Sequence, residues 1–209
     1  MDVARIEEGL WRWSTHYGEW GQDVGCLYVE AEDAVVLIDP LVPEEPGEEE
    51  RFWSALDRDV GRADTPVHVL VTVFWHTRSA ARMVERYGAK VHAMSGGRAA
   101  IARRAGDVHA YKSGTALPGG IVARPTARSS EVVFWLTAHR ALATGDVILG
   151  TDRGGLRLCP VSWLPSGIDH ERLRESLRPL LELPVERVLV SHGEPVLSGG
   201  HAALARLLG

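Results

Sequence analysis

Residues 67–78 read Val67-His68-Val69-Leu70-Val71-Thr72-Val73-Phe74-Trp75-His76-Thr77-Arg78. The run from Val67 to Val73 is apolar and of strand length, as suits a strand buried on both faces of a sheet. The chain then keeps alternating strand and helix. A helix is predicted over about Ser79 to Tyr87 and stopped by Gly88, followed by a strand over Lys90 to Met94 and a short helix over about Arg98 to Arg104. The buried run ends in a loop carrying Trp75, His76 and Arg78, so chemistry-bearing side chains leave a strand end together.

Toward the N-terminus, Gly9 to Ser14 alternates apolar and polar, as a half-buried strand does. Cys26 to Glu30 and Ala34 to Ile38 form a predicted hairpin around Ala31-Glu32-Asp33, and Asp39-Pro40 closes it. The acidic, proline-punctuated segment from Pro43 to Glu50 feeds a helix marked by Phe52, Trp53, Leu56 and Val60. Toward the C-terminus, strands are predicted over Gly120–Ala123, Glu131–Leu136 and Arg140–Thr144. A helix marked by Leu173, Leu177, Leu180 and Leu181 follows, with Asp169 as its N-cap, then a strand at Val188–Val190 and a helix from His201 to Leu208. This order predicts the α+β class. Two mixed sheets pack face to face with helices on both outer faces, a four-layer αββα sandwich in one domain over residues 1–209.

Composition narrows the function. The 209 residues are 45% hydrophobic and 24% charged, as in a globular chain with a substantial core. The net charge of −5 offers no broad basic footprint for nucleic acid or an anionic membrane, and no apolar run is long enough to span a bilayer. The N-terminus has no basic segment leading into an apolar one, so no signal peptide is read. Cys26 and Cys159 are read as unlinked reduced thiols, and the expected location is cytoplasmic. Nine histidines are the one number that points toward metal or acid–base chemistry. Most sit at polar or loop positions, while His68 and His92 lie inside strands and are read as satisfied sheet histidines.

Four stretches, in this order, resemble the metallo-β-lactamase superfamily. Val36-Leu37-Ile38-Asp39-Pro40 is similar to its strand ending in aspartate, and Leu70-Val71-Thr72 to the strand carrying its HxHxDH metal motif. Ala143-Thr144-Gly145-Asp146 is similar to its bridging-aspartate strand. Glu186 to Pro195, with Ser191-His192-Gly193, resembles its last histidine-glycine motif as seen in glyoxalase-II-like members. The resemblance implies the four-layer fold and a cleft at the strand ends. It also places seven ligand positions at 73, 75, 77, 78, 127, 146 and 192, which here hold Val, Trp, Thr, Arg, Ala, Asp and His. Only Asp146 and His192 keep a ligand there. Valine, tryptophan and alanine have no lone pair to give, and arginine does not deprotonate. The ordinary dinuclear site is therefore expected to be absent.

Two readings of the cleft follow. In the favoured one the metals are lost, and the cleft, with Trp75, His76, Arg78, Arg128, Asp146 and His192 as candidate binding residues, takes a small molecule. Arg78 replaces the lost cations by pairing with Asp146, and Arg128 adds positive charge, which would suit an anionic guest. No cofactor is favoured in that reading. The alternative is a hydrolase of an ester, thioester or amide with a mononuclear zinc site of His76, Asp146 and His192. Against it, His76 lies one position off the motif and Arg78 would repel a cation. A non-catalytic interaction subunit, with a homodimer open to it, is a third reading, and whether the protein is an enzyme is left undecided.

Overall fold

The computed structural model describes all 209 residues. Seven strands form the first sheet in chain order: β1 (Asp2–Glu7), β2 (Leu10–Tyr17), β3 (Gln22–Glu30), β4 (Val35–Ile38), β5 (Val67–Leu70), β6 (Lys90–Met94) and β7 (Val108–Tyr111). The first four pair antiparallel and the last four parallel, so the sheet is mixed, as expected. Three helices cover its outer face: α1 (Pro46–Ala63), α2 (Ala80–Tyr87) and α3 (Arg98–Ala105). Helix α1 begins at Pro46, which fits the first turn because its missing N–H has no partner to lose there. Gly88 ends α2 in the left-handed conformation, at φ 64°.

The second sheet has five strands in the order β14-β11-β10-β9-β8. These are β8 (Ala116–Leu117), β9 (Ile121–Pro125), β10 (Val132–Leu136), β11 (Ala141–Thr144) and, after a two-stranded hairpin of β12 (Ile148–Gly150) and β13 (Leu156–Leu158), β14 (Arg187–Val190). Helices α4 (His170–Leu177) and α5 (Gly200–Leu208) pack on its outer face. A third apolar cluster, with Leu27, Val36, Leu70, Phe134, Ala143 and Leu189, fills the space between the sheets. Helix, sheet, sheet, helix is the four-layer order read from the sequence.

The differences from that reading have local causes. Strands β1, β7, β8, β12 and β13 were not anticipated. All but the six-residue β1 are four residues or shorter, and β1 is too polar and exposed to show a buried face. The run Val67–Val73 stays in the first sheet only to Leu70. The Val71 amide still donates to His92 of the first sheet, and residues 72–73 then cross to the second sheet, where the Val132 amide donates to the Thr72 carbonyl at 2.9 Å and Val73 bridges Glu131. The helix expected through Leu181 breaks after Leu177 into a tighter 3₁₀ turn containing Pro179. Asp169 caps α4 as expected, accepting from the Arg172 amide at 2.8 Å. Both cysteines are buried and unlinked. No helix is long and apolar enough to cross a membrane.

His68 and His92 meet on neighbouring strands, His68 Nδ1 lying 2.9 Å from His92 Nε2, and His109 stacks on His92. Burial, reinforced by His68, pushes His92 down to about 4. The folded protein therefore prefers neutral His92, while the unfolded chain takes up a proton near the ordinary histidine value. This contribution to stability is complete above about pH 6.5 and is lost as pH falls toward 4. The thermal midpoint should decline over that window, and His92→Phe should flatten the decline. An unchanged slope in the variant would assign the effect to other groups.

Candidate metal centre

The sheet register brings three segments together. Strands β11 and β14 are parallel, with Thr144 opposite Val190, so Asp146 and His192, each two residues further on, leave the sheet side by side. Strands β4 and β5 are also parallel, with Ile38 opposite Leu70, which sets Asp39 beside Thr72 and the loop that follows. Asp39, at a φ of 49°, aims its carboxylate at that loop. Its Oδ1 accepts from the Thr72 amide at 2.8 Å, and its Oδ2 accepts from the Thr72 hydroxyl. The site thus lies at the carboxyl ends of parallel strands, where loops converge.

Phe74–Thr77 form a short 3₁₀ turn that departs from helical geometry at His76, with φ −81° and ψ 15°, so the side chains here do not alternate as on a strand. This turns His76 inward, completely buried, with Nδ1 2.8 Å from Asp39 Oδ2. Asp39 can only accept, so Nδ1 carries the proton and the Nε2 lone pair faces away from Asp39. What it faces is Asp146 Oδ1, 3.1 Å away, and His192 Nε2 is also 3.1 Å from that oxygen. His76, Asp146 and His192 each place one ligand atom within 4.8 Å of the others, and all three are buried. The one-residue offset therefore does not carry His76 out of the cluster, contrary to the expectation from sequence. The tight turn makes the offset position the one that points in.

These residues fit a bound divalent cation. His76 Nε2 and Asp146 Oδ1 are buried without a hydrogen-bond partner despite their proximity. A nitrogen lone pair facing a carboxylate oxygen is repulsive unless a cation or a proton lies between them. Ligand atoms about 2.0–2.1 Å from a tetrahedral zinc stand about 3.3 Å apart, close to the 3.1 Å separations seen. Two histidines and one carboxylate are a known catalytic ligand set, and a carboxylate behind a ligating imidazole, as Asp39 is, fixes the ring's tautomer and direction. Burial opposes a charged Asp146, but His76 and His192 hold its carboxyl well below the usual range. Burial and Arg78 oppose a charged His76, yet Asp39 and Asp146 raise it above its ordinary value. His192 is lowered by its burial even with Asp146 beside it.

Glu131, fully buried and read from sequence only as the first residue of a strand, holds Asp146 in place. Its Oε1 accepts from the amides of Asp146 and Val147 at 2.6 and 2.8 Å, and its Oε2 accepts from Arg128 Nη1 at 2.8 Å. Burial, with the Asp146 charge, pushes Glu131 up to about 7, while Arg128 and the two amides pull the other way. A side chain at Gly145 would strike Thr72 Oγ1 at 2.7 Å and Glu131 Oε1 at 2.9 Å, so only glycine fits between these supports.

Both arginines offered as free cleft charges are engaged elsewhere. Arg78 does not pair with Asp146. Its Nη1 donates to the Asp39 carbonyl at 3.2 Å and its Nη2 to Ser191 Oγ at 3.2 Å, since a residue at φ 37° turns its side chain away from the turn's inner face. Arg128 is buried, bonded to Glu131 and to the Trp163 carbonyl, with its guanidinium 4.9 Å from the centre of the Trp75 ring. Ala127, which the family alignment puts at a ligand position, donates its amide to Ser176 Oγ and supplies nothing to the centre. Above the cluster lies a cavity of about 360 Å³ lined by Trp20, Gln22, Trp75, Asp146, Trp163 and His192. Trp75 Nε1 donates to Asp146 Oδ2 at 2.6 Å, so one wall of the cavity is bonded to the centre. Asp39, Glu131, Trp20 and Gln22 were missing from the sequence-derived site. Only Asp39 carried a signal, through its strand-ending motif.

The fold and the centre together define a class. The chain has the metallo-β-lactamase fold, as the four stretches implied. Among solved structures it is similar to a metallo-β-lactamase from Pontibacter korlensis, at 19% identity over 99% of this chain and 98% of that one, with a TM-score of 0.68. It is also similar to the metallo-β-lactamase FIM-1 from Pseudomonas aeruginosa in its mono-zinc form, at 15% identity over 99% and 94% of the two chains, with a TM-score of 0.67. A third is a metallo-β-lactamase from Erythrobacter litoralis with β-mercaptoethanol in its active site, at 17% identity over 99% and 93%, with a TM-score of 0.66. No protein-family model matches the sequence, and no curated protein matches it.

Because Asp39 orients His76 from behind, Asp39→Ala should weaken binding of a metal by His76, Asp146 and His192 by about 10- to 100-fold while leaving those three side chains in place. Competition with a chromogenic chelator measures this directly. Unchanged affinity would mean that Asp39 serves the strand end alone.

Proposed function

We propose that the protein is a mononuclear metal-dependent hydrolase, acting on an ester, thioester or amide of a small molecule held in the tryptophan-lined cavity. The observation that carries this reading is the convergence of His76 Nε2, His192 Nε2 and Asp146 Oδ1, two of them buried without a hydrogen-bond partner, where Asp146 and His192 line that cavity and His76 lies buried behind them. A metal held there would polarise a carbonyl and lower the pKa of a water. His76, Asp146 and His192 would hold it, Asp39 orients His76, and Glu131 anchors the Asp146 backbone. Trp75, bonded to Asp146, fixes the second carboxylate oxygen so that Oδ1 alone is free to serve as ligand. The three indoles give the cavity apolar walls against which the substrate would pack.

A second reading, metal-free binding of a small molecule, is favoured by one feature. A proton on His76, whose pKa the two aspartates raise, would also satisfy Asp146. Metal content separates the two. Protein purified without chelator and assayed by elemental analysis should carry metal in proportion to its esterase or thioesterase activity, and stripping with chelator should abolish that activity reversibly. Turnover that survives complete stripping would refute the hydrolase as proposed.

A further inference from the structure

We infer that the C-terminal helical layer carries a second binding site, for a phosphorylated small molecule with an apolar body. The site is a cavity of about 460 Å³ where β13, α4 and α5 meet. Arg157 of β13, Arg174 of α4 and Arg206 of α5 line it together with His170, and no carboxylate does. Leu156, Leu158, Ala203 and Leu207 complete the wall, as members of the apolar cluster beneath the helices or packed against it. This cavity shares no lining residue with the one above the metal centre, so the inference does not rest on the proposed hydrolase.

Arginines elsewhere in the chain are matched to acids: Arg62 to Glu30, Arg86 to Asp57, Arg128 to Glu131 and Arg187 to Glu7. Arg157, Arg174 and Arg206 form no ion pair, although the chain as a whole carries a net charge of −5. Arg174 Nε donates to the Leu207 carbonyl at 3.3 Å, which holds this side chain against the last turn of α5 and leaves both of its Nη groups free. Arg206 lies on the same turn. The partial negative charge of a helix C-terminus favours these two arginines, but it does nothing for Arg157. His170 Nε2 donates to the Cys159 carbonyl at 2.7 Å, which fixes the ring in the cavity wall. Three like charges around one cavity repel one another until an anion enters. Guanidinium forks match phosphate oxygens in paired hydrogen bonds, and a phosphorylated molecule with two or more negative charges offsets more of that repulsion than a single carboxylate. The volume lies within the range of small-molecule sites and exceeds what a bare phosphate fills, and the leucines give a ring an apolar surface to cover.

The test is titration calorimetry on the full-length protein with ADP, adenosine and pyrophosphate. The protein is stripped with chelator beforehand, so that no metal at the centre can hold the phosphates. ADP carries both the charge and the apolar body, and it should bind at least about tenfold more tightly than adenosine or pyrophosphate, each of which lacks one of them. Arg157→Gln combined with Arg206→Gln should weaken ADP binding at least about tenfold with the thermal midpoint kept, because both side chains are exposed and unpaired. Arg103→Gln combined with Arg104→Gln removes the same charge from exposed positions on α3, in the opposite outer layer, and should leave ADP binding unchanged. No binding of ADP, adenosine or pyrophosphate binding as tightly as ADP, or an equal loss in the two double variants would overturn the inference.

Discussion

Replacing Asp146 by alanine should lower zinc affinity by at least about a thousandfold, some 4 kcal/mol, and reduce metal-dependent turnover to background. Asp146 is the one charged ligand, and its Oδ1 lies 3.1 Å from both imidazoles. Without it two histidines remain, too few to define a site. The fold should survive, because the backbone at 146 is held by Glu131 through the amides of Asp146 and Val147, which alanine retains. Wild-type protein should gain thermal stability on adding zinc, since a ligand that binds only the folded state shifts its midpoint, and the variant should gain none. A zinc-induced shift of equal size in the variant would place the metal elsewhere.

Glu131→Ala should act through stability instead. It leaves Arg128 almost fully buried with no carboxylate, and strips two buried amides of their acceptor. Breaking one side of a buried ion pair costs about 3–5 kcal/mol, because the remaining charge is stranded. For a chain of this size that is on the order of a 10 °C drop in the thermal midpoint. Glu131→Gln separates the two roles. Its side-chain oxygen can still accept from both amides, so the loss should fall to about half, with zinc affinity largely kept. If both variants lose the same amount, the ion pair with Arg128 carries the whole effect and the amide contacts contribute little.

The fold was legible because its deciding signals are local. A buried strand followed by helix, strand and helix, and two strands each ending in an aspartate, place the parallel edges of both sheets without any long-range information. The site was legible only where a residue follows a strand directly. Asp146 and His192 come two positions past the register pair Thr144–Val190, and both were read. His76 is disfavoured in the sequence because one position along a tight loop redirects a side chain and Arg78 lies close by, whereas the short turn over Phe74–Thr77 makes the offset residue the one that points inward. Arg78 reads as a replacement for the cations from its charge and its place in the resembling motif, opposite Asp146. Its direction depends on a backbone at φ 37°, which no periodicity announces. Glu131 was invisible for a different reason. A glutamate at the start of a strand reads as solvated, and only the meeting of the two sheets at Val73 and Glu131 buries it.

The proposed function stands or falls with a single metal held by His76, Asp146 and His192. Titration of chelator-stripped protein with zinc, followed by calorimetry, tests it most directly. The structure predicts saturation at one equivalent, abolished by His76→Ala as well as by Asp146→Ala. Saturation at two equivalents, no saturable binding, or full retention in His76→Ala would contradict it.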